Sequence, residues 1–473
     1  QRTGLSEEEL IGIIGEYDGL MIRSGTQVTA AVIAAASRLK IIGRAGVGVD
    51  NVDVPAATQR GVLVVNSPEG NTIAAAEHAL AMMLTLSRHI PQAHGGMRAG
   101  KWDRKKYVGN ELYKKTLGVV GLGKIGSHVA RVAQAMGMEV IAYDPFIAAD
   151  RAQRMQVKLL ELDELFRTAD YVTLHIPRTK DTENLVNAEL LRTMKPTARI
   201  VNCARGGVVD EAAIAEAINN GVIAGAGLDV YASEPLAEDS PLRAVERGLV
   251  LTPHLGASTE EAQENVAIDV AEQIRDVLLG LPARSAVNIP GLSAEIMERL
   301  KPHLQLAETV GLLVSQLAGG HVQEMELRLQ GEFASHPSQP LVIAALKGLL
   351  SAGLGDSINF VNASLEAKAR GIQVLEVKDE SSRDFAGGSL QITTRGDQGS
   401  RSVTGAVFAD GDLRITSIDA FPVNVTPSSH MLFTRHRDMP GIIGHLGSLL
   451  GEHNVNIASM QVGRKIVRGD AVM

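Results

Sequence analysis

Cysteine and aromatic residues are scarce in this sequence. The 473 residues include one cysteine, and aromatic side chains make up 3% of the chain. A single thiol cannot form an internal disulfide, which excludes a disulfide-stabilised scaffold and favours a reducing compartment. No run of about 18 uninterrupted apolar residues occurs, because the best candidate, residues 73–90, contains Glu77, His78 and Arg88. We therefore expect no membrane partner.

The charge balance is acidic, with a formal net charge of −8 and no long block of Lys or Arg. This balance argues against a nucleic-acid partner, and the 45% hydrophobic content excludes a disordered chain. At roughly 150 residues per domain, the length allows about three domains. The sequence begins with Gln1, and residues 470–473 lie in a predicted strand. We expect a fragment that lacks the first strand of its first domain and the last strand of its final domain.

Up to about residue 290, short apolar runs alternate with longer helical patterns, which is typical of βαβ units and a parallel sheet. Ligands of such sheets bind beyond the carboxyl ends of the strands. The predicted strands cover residues 19–22, 39–42, 61–65, 116–120, 139–142, 171–174, 200–202, 224–228 and 249–251. We predict two Rossmann-like, doubly wound lobes with a cleft between them, and a helix that begins with a capping box of Ser258 and Glu261.

The pattern changes after residue 290. Residues 291–427 combine an amphipathic helix at 300–317 with alternating segments such as 389–393 and 401–408, which predicts an α+β domain. From residue 431 a strand, a turn, a helix and a second strand at 455–462 follow one another. That compact unit has the size of a small ligand-sensing module.

A glycine-rich loop, Gly121, Gly123 and Gly126, follows the predicted strand at 116–120 and opens a helix. In this context the glycines allow a tight turn, close approach of a pyrophosphate and packing of helix on strand. Asp144 follows the next predicted strand along the chain, where a carboxylate accepts hydrogen bonds from the ribose hydroxyls and repels a 2′-phosphate. The loop therefore predicts NAD as the cofactor.

Oxidation of an alcohol beside a carboxylate needs a base for the hydroxyl proton and a cation for the carboxylate. His254, Glu234 and Arg205 can supply a base, an acid that fixes its tautomer, and the cation. Each also has an ordinary interpretation, because His254 follows a proline in a loop, Glu234 precedes one in a turn, and Arg205 can form a surface ion pair. Spacing alone shows no contact between them.

These motifs resemble the D-isomer-specific 2-hydroxyacid dehydrogenases over nearly all of residues 1–290. The segments that carry the resemblance are 202–207, 227–235 and 252–259, together with the Gly121 loop. The resemblance implies that Arg205, Glu234 and His254 are catalytic. It also implies cofactor contacts from Val47, Gly121, Gly123, Lys124, Ile125, Gly126, Asp144, Cys203, Ala204, Arg205, Asp229, His254, Leu255, Gly256 and Ala257.

Within that family, segments 22–25, 43–50 and 102–106 are similar to the members that oxidise a phosphorylated substrate. The resemblance implies conversion of 3-phospho-D-glycerate to 3-phosphohydroxypyruvate, the first step of L-serine biosynthesis. A substrate with a phosphate and a carboxylate needs several cations. The implied substrate-binding residues are Arg23, Ser24, Arg44, Gly46, Arg104 and Lys105, and the competing interpretation is that these charges are merely solvated.

The remainder of the chain is similar to the intervening domain and the ACT domain of the long enzymes of this kind. The resemblance implies a homodimer or homotetramer and L-serine as an effector at Asp438 and Asn456, although these two residues are also typical of a turn and a strand cap. We predict no metal site, and a location in the cytoplasm, or in the plastid stroma after removal of a transit peptide. The predicted domains are 1–70 plus 257–288 (substrate-binding lobe), 71–256 (NAD-binding lobe), 289–427 (intervening) and 428–473 (ACT).

Two other functions remain open at this point. The nearest alternative is another D-2-hydroxyacid dehydrogenase, such as a glyoxylate or hydroxypyruvate reductase. A protein of a different class, an NADH-sensing corepressor, shares the two-lobed fold without needing turnover.

Overall fold

The computed structural model describes residues 2, 4–290, 294–380, 388–408 and 411–473. The predicted domains also contain residues 1, 3, 291–293, 381–387, 409 and 410, which lie outside the described residues, and the domain boundaries stay predictions. The chain divides into two compact units. One comprises Gln1–Arg44, Gly48–Asn66 and Ala271–Met473, and the other comprises Ala45–Val47 and Ser67–Val270.

The chain begins with a three-stranded parallel sheet in the order β1-β2-β3. The first helix starts with a capping box, in which the Ser6 hydroxyl accepts from the backbone N–H of Glu9 and the Glu9 carboxylate accepts from the backbone N–H of Ser6. The elements of this region are α1 Glu7–Ile14, β1 Gly19–Ile22, α2 Ala30–Ala35, β2 Ile41–Arg44, α3 Val54–Gln59 and β3 Leu63–Asn66.

The unit that contains residues 67–270 is built on a seven-stranded parallel sheet, in the order β10-β9-β8-β7-β4-β5-β6. Its central strands are buried along their whole length, as expected for a parallel sheet covered by helices on both faces. Its elements are α4 Thr72–Arg88, α5 Ile90–Arg98, β4 Thr116–Val120, α6 Lys124–Ala135, β5 Glu139–Tyr143, α7 Ala149–Arg154, β6 Lys158–Leu159, α8 Leu162–Thr168, β7 Tyr171–Leu174, α9 Ala188–Arg192, β8 Arg199–Asn202, α10 Glu211–Asn219, β9 Gly225–Leu228 and β10 Leu249–Leu251.

The next helix is α11, Glu260–Leu278. The predicted capping box at its start is wrong, because the hydroxyl that accepts from the first turn belongs to Thr259, 3.1 Å from the backbone N of Ala262. Within the unit that contains β3, residues 273–288 pack along that strand. The amide of Gln273 donates to the Asn66 carbonyl, and the backbone N–H of Val287 donates to the Val64 carbonyl.

The following α+β region packs helices on a mixed sheet in the order β12-β11-β13-β14-β15-β16, in which only the β11–β12 pair is parallel. A single apolar cluster from both helices and strands fills its core. Its elements are α12 Ala294–Ala318, β11 Val322–Gln330, α13 Ser338–Leu354, α14 Ala363–Ala369, β12 Gln373–Asp379, β13 Ser389–Gly396, β14 Gly399–Val407, β15 Leu413–Ile418 and β16 Phe421–Val425.

The C-terminal residues form a small antiparallel sheet in the order β17-β19-β18 with one helix. The elements are β17 Arg435–Arg437, α15 Ile442–Glu452, β18 Gly463–Arg464 and β19 Asp470–Val472. The predicted strands at 431–435 and 455–462 are wrong, since β17 starts at Arg435 and β18 only at Gly463. Val455 and Ile457 alternate like a strand, but they are exposed, and residues 411–473, all described, place no partner strand beside them.

The predicted α/β class is confirmed, and each predicted strand before residue 290 has an observed counterpart that begins within two residues of it. The two-residue strand Lys158–Leu159 is absent from the prediction because it is too short to show a period. Among the described residues, the helices lack the combination of length and apolar character that crossing a membrane requires.

Candidate active site

The carboxyl edge of the seven-stranded sheet collects residues that are far apart in sequence. Strands β8, β9 and β10 are neighbours, and their last residues are in register, with Asn202 opposite Leu228 and Leu228 opposite Leu251. The segments that follow these strands therefore leave the sheet side by side. These segments carry Arg205, Asp229 and His254.

The glycine loop between β4 and α6 has the geometry that anion binding requires. A Cβ on Gly126 would lie 2.0 Å from the Gly121 carbonyl oxygen, so only glycine allows this close packing of helix on loop. Around Gly123, by contrast, no described residue beyond its chain neighbours and its own helix has an atom within 4 Å of the Cβ position. The helix N-terminus at Gly123 has no side-chain cap, which leaves its N–H groups available to a pyrophosphate.

Asp144 follows β5 and faces the same loop. Its carboxylate accepts from the backbone N–H of Leu122 at 2.8 Å and from that of Phe146 at 2.9 Å. These bonds fix the orientation of the carboxylate and leave lone pairs for ribose hydroxyls. Lys124 in the same loop forms an exposed ion pair with Glu69. The residues present therefore fit NAD.

His254 and Glu234 form a hydrogen-bonded pair. The Nδ1 atom of His254 lies 2.7 Å from Glu234 Oε2, and the other carboxylate oxygen accepts from the backbone N–H of Tyr231. Since a carboxylate accepts, Nδ1 carries the proton and Nε2 keeps its lone pair. Both side chains are partly exposed, at 49% and 37%. The pair is therefore accessible to a ligand.

Asp229, which is fully buried, holds the His254 loop in place. Its carboxylate accepts from the backbone N–H groups of Leu255 and Gly256 and from the Thr252 hydroxyl, and its own carbonyl accepts from the backbone N–H of His254. Burial alone would raise the pKa of Asp229, but hydrogen bonds from His78, Thr252 and the two backbone groups outweigh it, and the pKa is lowered. The Asp229 carboxylate is therefore charged, and its hydrogen bonds hold the His254 loop in position.

Tyr231 connects the same segments. Its hydroxyl donates to the carbonyls of Leu228 and Thr252, at the ends of β9 and β10. Burial, followed by the nearby charge of Asp229, raises the pKa of Tyr231 to about 12, so the phenol remains a donor. The loop that carries Glu234 is therefore fixed to the sheet edge.

The segment after β8 contains Cys203, Ala204 and Arg205. The amide of Asn202 bonds both the Ala204 N–H and the Arg205 carbonyl, which closes a tight turn. The Arg205 guanidinium donates to the Ala204 carbonyl at 2.7 Å. Burial, with a smaller contribution from Asp229, raises the pKa of the Cys203 thiol far above its usual range. Cys203 is therefore a neutral thiol, unsuited to nucleophilic chemistry.

His78 belongs to this site, although the sequence did not single it out. It lies on α4, and its Nε2 is 3.2 Å from Asp229 Oδ1 and 3.2 Å from the Thr252 hydroxyl oxygen. The available signal was a polar side chain one helical turn before the buried Met82, on the apolar face of the helix. Without a known partner, that signal is ambiguous.

The predicted substrate and effector residues are distributed over both units. Arg23, Ser24 and Arg44 lie in the unit that contains β1 and β2, at or just after the ends of these strands. The other unit contains Gly46 and Val47, and a 3₁₀ turn, Arg104–Tyr107, that holds Arg104 and Lys105 on its surface. These assignments stay predictions.

In the C-terminal sheet, Asp438 accepts from the guanidinium of Arg464 at 2.8 Å and from the backbone N–H of Arg468 at 3.1 Å. These bonds, that of the Arg468 backbone first, lower the pKa of Asp438. Asn456 is exposed, and among the described residues no hydrogen bond joins it to Asp438. The two effector positions therefore stay a prediction.

Three family models match the chain in succession. The model described as D-isomer specific 2-hydroxyacid dehydrogenase, NAD binding domain, matches residues 80–256. The D-3-phosphoglycerate dehydrogenase intervening domain matches residues 299–419, and the ACT domain matches residues 430–473.

Curated relatives match over the whole length. A D-3-phosphoglycerate dehydrogenase of Synechocystis sp. is 64% identical over 473 residues, which is 100% of this chain and 85% of the relative. One of Archaeoglobus fulgidus is 45% identical, over 98% of this chain and 87% of the relative.

Among solved structures, the apo form of Escherichia coli D-lactate dehydrogenase is similar at a TM-score of 0.55 and 30% identity, covering 60% of this chain and 89% of that one. The Aquifex aeolicus D-lactate dehydrogenase complexed with NAD and lactic acid is similar at a TM-score of 0.53 and 29% identity, covering 57% and 85%.

Proposed function

Since this chain belongs to the D-3-phosphoglycerate dehydrogenase family of the D-isomer specific 2-hydroxyacid dehydrogenases, we propose that it oxidises 3-phospho-D-glycerate to 3-phosphohydroxypyruvate with NAD, the first step of L-serine biosynthesis. The single observation that carries the proposal is the His254–Glu234 pair, 2.7 Å apart, at the carboxyl edge of the dinucleotide-type sheet. Bound NAD supplies the hydride acceptor.

His254 is the proposed base. In the oxidising direction its Nε2 atom takes the proton of the substrate hydroxyl as hydride leaves the carbon that bears this hydroxyl. The alcohol becomes a ketone, and the ring becomes an imidazolium with a proton on each nitrogen. Glu234 holds the tautomer that this step needs and stabilises the imidazolium that results. In the reverse direction the same Nε2 returns the proton to the carbonyl oxygen.

Arg205 is the proposed cation for the substrate carboxylate. A guanidinium binds a carboxylate with two parallel hydrogen bonds, which also orients the neighbouring hydroxyl. Its bond to the Ala204 carbonyl and the Asn202 turn support this role, because they restrict the side chain before substrate binds. We assign the substrate phosphate to Arg23, Ser24, Arg44, Gly46, Arg104 and Lys105.

The cofactor preference rests on Asp144. Its carboxylate is fixed by two backbone N–H groups and would accept from both ribose hydroxyls, whereas a 2′-phosphate would meet a like charge. The glycine loop, Val47, Lys124 and Ile125 are the proposed contacts of the pyrophosphate side. Cys203, Ala204, Asp229 and the segment 254–257 are the proposed contacts of the nicotinamide side.

Regulation and assembly form the finer part of the proposal. We assign L-serine to Asp438 and Asn456 as an effector, with a homodimer or homotetramer as the active form. Asp438 already pairs with Arg464, so serine would have to compete with that arginine for the carboxylate. The proposed location is the cytoplasm, or the plastid stroma.

The test is NADH formation from 3-phospho-D-glycerate and NAD at mildly alkaline pH, with the ketone trapped. His254→Asn should lower kcat by about 10²-fold to 10⁴-fold while NADH binding persists, because only the proton acceptor is lost. His430→Asn, at an exposed position near the C-terminus, is the matched control and should be unchanged. A His254→Asn variant that keeps half of its turnover would show that the base is assigned wrongly.

A second experiment tests the proposed binding of the substrate phosphate. Arg23→Ala should raise KM for 3-phospho-D-glycerate roughly 10-fold to 100-fold, the effect of losing one charge-assisted hydrogen bond, and Arg38→Ala, an exposed arginine of the same unit, should not. If Arg23→Ala leaves KM unchanged, the assignment of the substrate phosphate to Arg23 is wrong. If an unphosphorylated hydroxy acid is the better substrate, the chain is another D-2-hydroxyacid dehydrogenase. NADH binding without turnover of any hydroxy acid would favour an NADH sensor.

A further inference from the structure

Three side chains of the types that bind metals lie close together next to the His254 loop. His78 comes from α4, Cys203 follows β8 and Asp229 follows β9, and one ligand atom of each lies within 4.8 Å of the other two. In the part of the chain that the structure describes, this is the one such group of three His, Cys, Asp or Glu side chains. The three positions come from separate segments of the chain, so no short sequence motif reveals them.

The distances suit a tetrahedral ion. Metal–nitrogen and metal–oxygen bonds of about 2.0–2.1 Å at the tetrahedral angle place the two ligand atoms about 3.3 Å apart. His78 Nε2 and Asp229 Oδ1 are 3.2 Å apart already. The Cys203 sulfur lies within 4.8 Å of the other two ligand atoms. It needs to approach them by about 1.3 Å at most to complete the set, because a zinc–sulfur bond of about 2.3 Å gives an edge of about 3.5 Å.

The charges also favour a cation. Asp229 carries a fully buried negative charge that accepts hydrogen bonds from Thr252, Leu255 and Gly256. A divalent ion compensates this charge, because it binds a coordinating thiol as the thiolate, and the sum of one thiolate, one carboxylate and the ion is neutral. One proton, that of the thiol, leaves on binding.

We propose that His78, Cys203 and Asp229 form a binding site for a thiophilic divalent cation, Zn²⁺ in particular, and that its occupation excludes NAD. Sulfur, imidazole and carboxylate together select zinc-like ions, whereas Mg²⁺ and Ca²⁺ require oxygen ligands. The ion takes the place of the hydroxyl of Thr252, which now bonds both His78 and Asp229. The exclusion of NAD rests on the proposed function, which assigns Cys203 and Asp229 to the nicotinamide side.

Cobalt is the suitable probe, because Zn²⁺ has a filled d shell and is silent. Cys203 is the only cysteine of the chain, so a thiolate-to-cobalt charge-transfer band reports this thiol alone. We expect such a band with a stoichiometry of one Co²⁺ per chain, its bleaching by Zn²⁺, and its loss in Cys203→Ser. His78→Gln should weaken Co²⁺ binding at least about tenfold, whereas His128→Gln, on the helix α6 of the same unit, should bind as the unaltered chain does.

Saturating NADH should abolish the band. Binding of NADH itself is followed by nicotinamide fluorescence without metal, which tests the proposed function separately. Absence of the charge-transfer band, or equal Co²⁺ affinity in His78→Gln and His128→Gln, would overturn the metal site. A band that persists when fluorescence shows NADH to be bound would overturn the exclusion, and failure of NADH to bind at all would count against the proposed function alone.

Discussion

Two regions of this molecule each contain an aspartate that we propose as a ligand-binding residue, and the two carboxylates differ in burial and in hydrogen-bond partners. At the carboxyl edge of the seven-stranded sheet, Asp229 is fully buried and accepts hydrogen bonds from neighbouring segments. In the C-terminal sheet, Asp438 pairs with the half-exposed Arg464. Asp229 therefore holds the neighbouring segments in position, whereas Asp438 is itself held in position by its neighbours. The burial of Asp229 among several segments results from the wide parallel sheet, because the carboxyl ends of neighbouring strands lie side by side.

The largest effect is expected from Asp229→Ala. Four donors, namely the His78 ring, the Thr252 hydroxyl and the N–H groups of Leu255 and Gly256, would lose their acceptor, at about 1–3 kcal/mol for each donor that is left without a partner. We expect the free energy of unfolding to fall by about 4 kcal/mol in urea titrations, and turnover to be lost with the His254 loop. Asp239→Ala, an exposed acid of the same unit, is the control. Equal stability of the two variants would remove Asp229 from its organising role.

A partly buried histidine that directly follows β7 of the same sheet should make stability depend on pH. Burial lowers the pKa of His175 to about 4, against 6.5 in the unfolded chain. Stability is therefore complete above pH 6.5 and is lost as the pH falls towards 4, because the unfolded chain binds a proton that the folded chain rejects. The loss amounts to about 3 kcal/mol.

His175→Gln should flatten that dependence in urea titrations at successive pH values, while His430→Gln, which changes an exposed ring, should not. The glutamine amide is long enough to reach the position of Nε2 of His175, which now lies 3.0 Å from the Thr173 hydroxyl oxygen. A slope between pH 6.5 and 4 equal to that of the unaltered chain would contradict the assignment.

The smallest effect is expected from Asp438→Asn. Hydrogen bonds from Arg468 and Arg464 lower the pKa of Asp438, so its contribution is present above the ordinary carboxyl range and is lost on acidification. Because the Arg464 partner is half exposed, solvent screens the pair, and we expect no measurable change of the thermal unfolding midpoint at pH 7. A destabilisation as large as that of Asp229→Ala would contradict the proposed difference between the two aspartates.

The accuracy of the sequence predictions follows the same division. Before the intervening region, buried strands bounded by glycine and charged residues leave a clear pattern, and β1, β4, β7 and β10 have the predicted bounds. In the C-terminal region the pattern at 455–462 was misleading. Alternation of apolar residues describes one face of a strand, but a strand exists only where another strand supplies its hydrogen bonds.

For the candidate active site, the residue types in the sequence indicated the chemistry, and the structure showed which of these residues contact one another. The roles of His254 and Glu234 follow from their types, and the 2.7 Å contact joins them. His78 was missed because its partner, Asp229, belongs to a distant part of the sequence, and only the packing of α4 near the ends of β9 and β10 brings them together.

By itself, the amino-acid sequence determined the α/β class and the glycine loop with its acid, and it led to the proposal of His254 as the base, because these depend on local periodicity and on the chemistry of single side chains. The tertiary structure alone decided that Asp229 anchors the His254 loop, that His78 and Cys203 lie against it, and that Asp438 pairs with Arg464. These contacts depend on which strands become neighbours, and that order is fixed by the packing of the whole sheet.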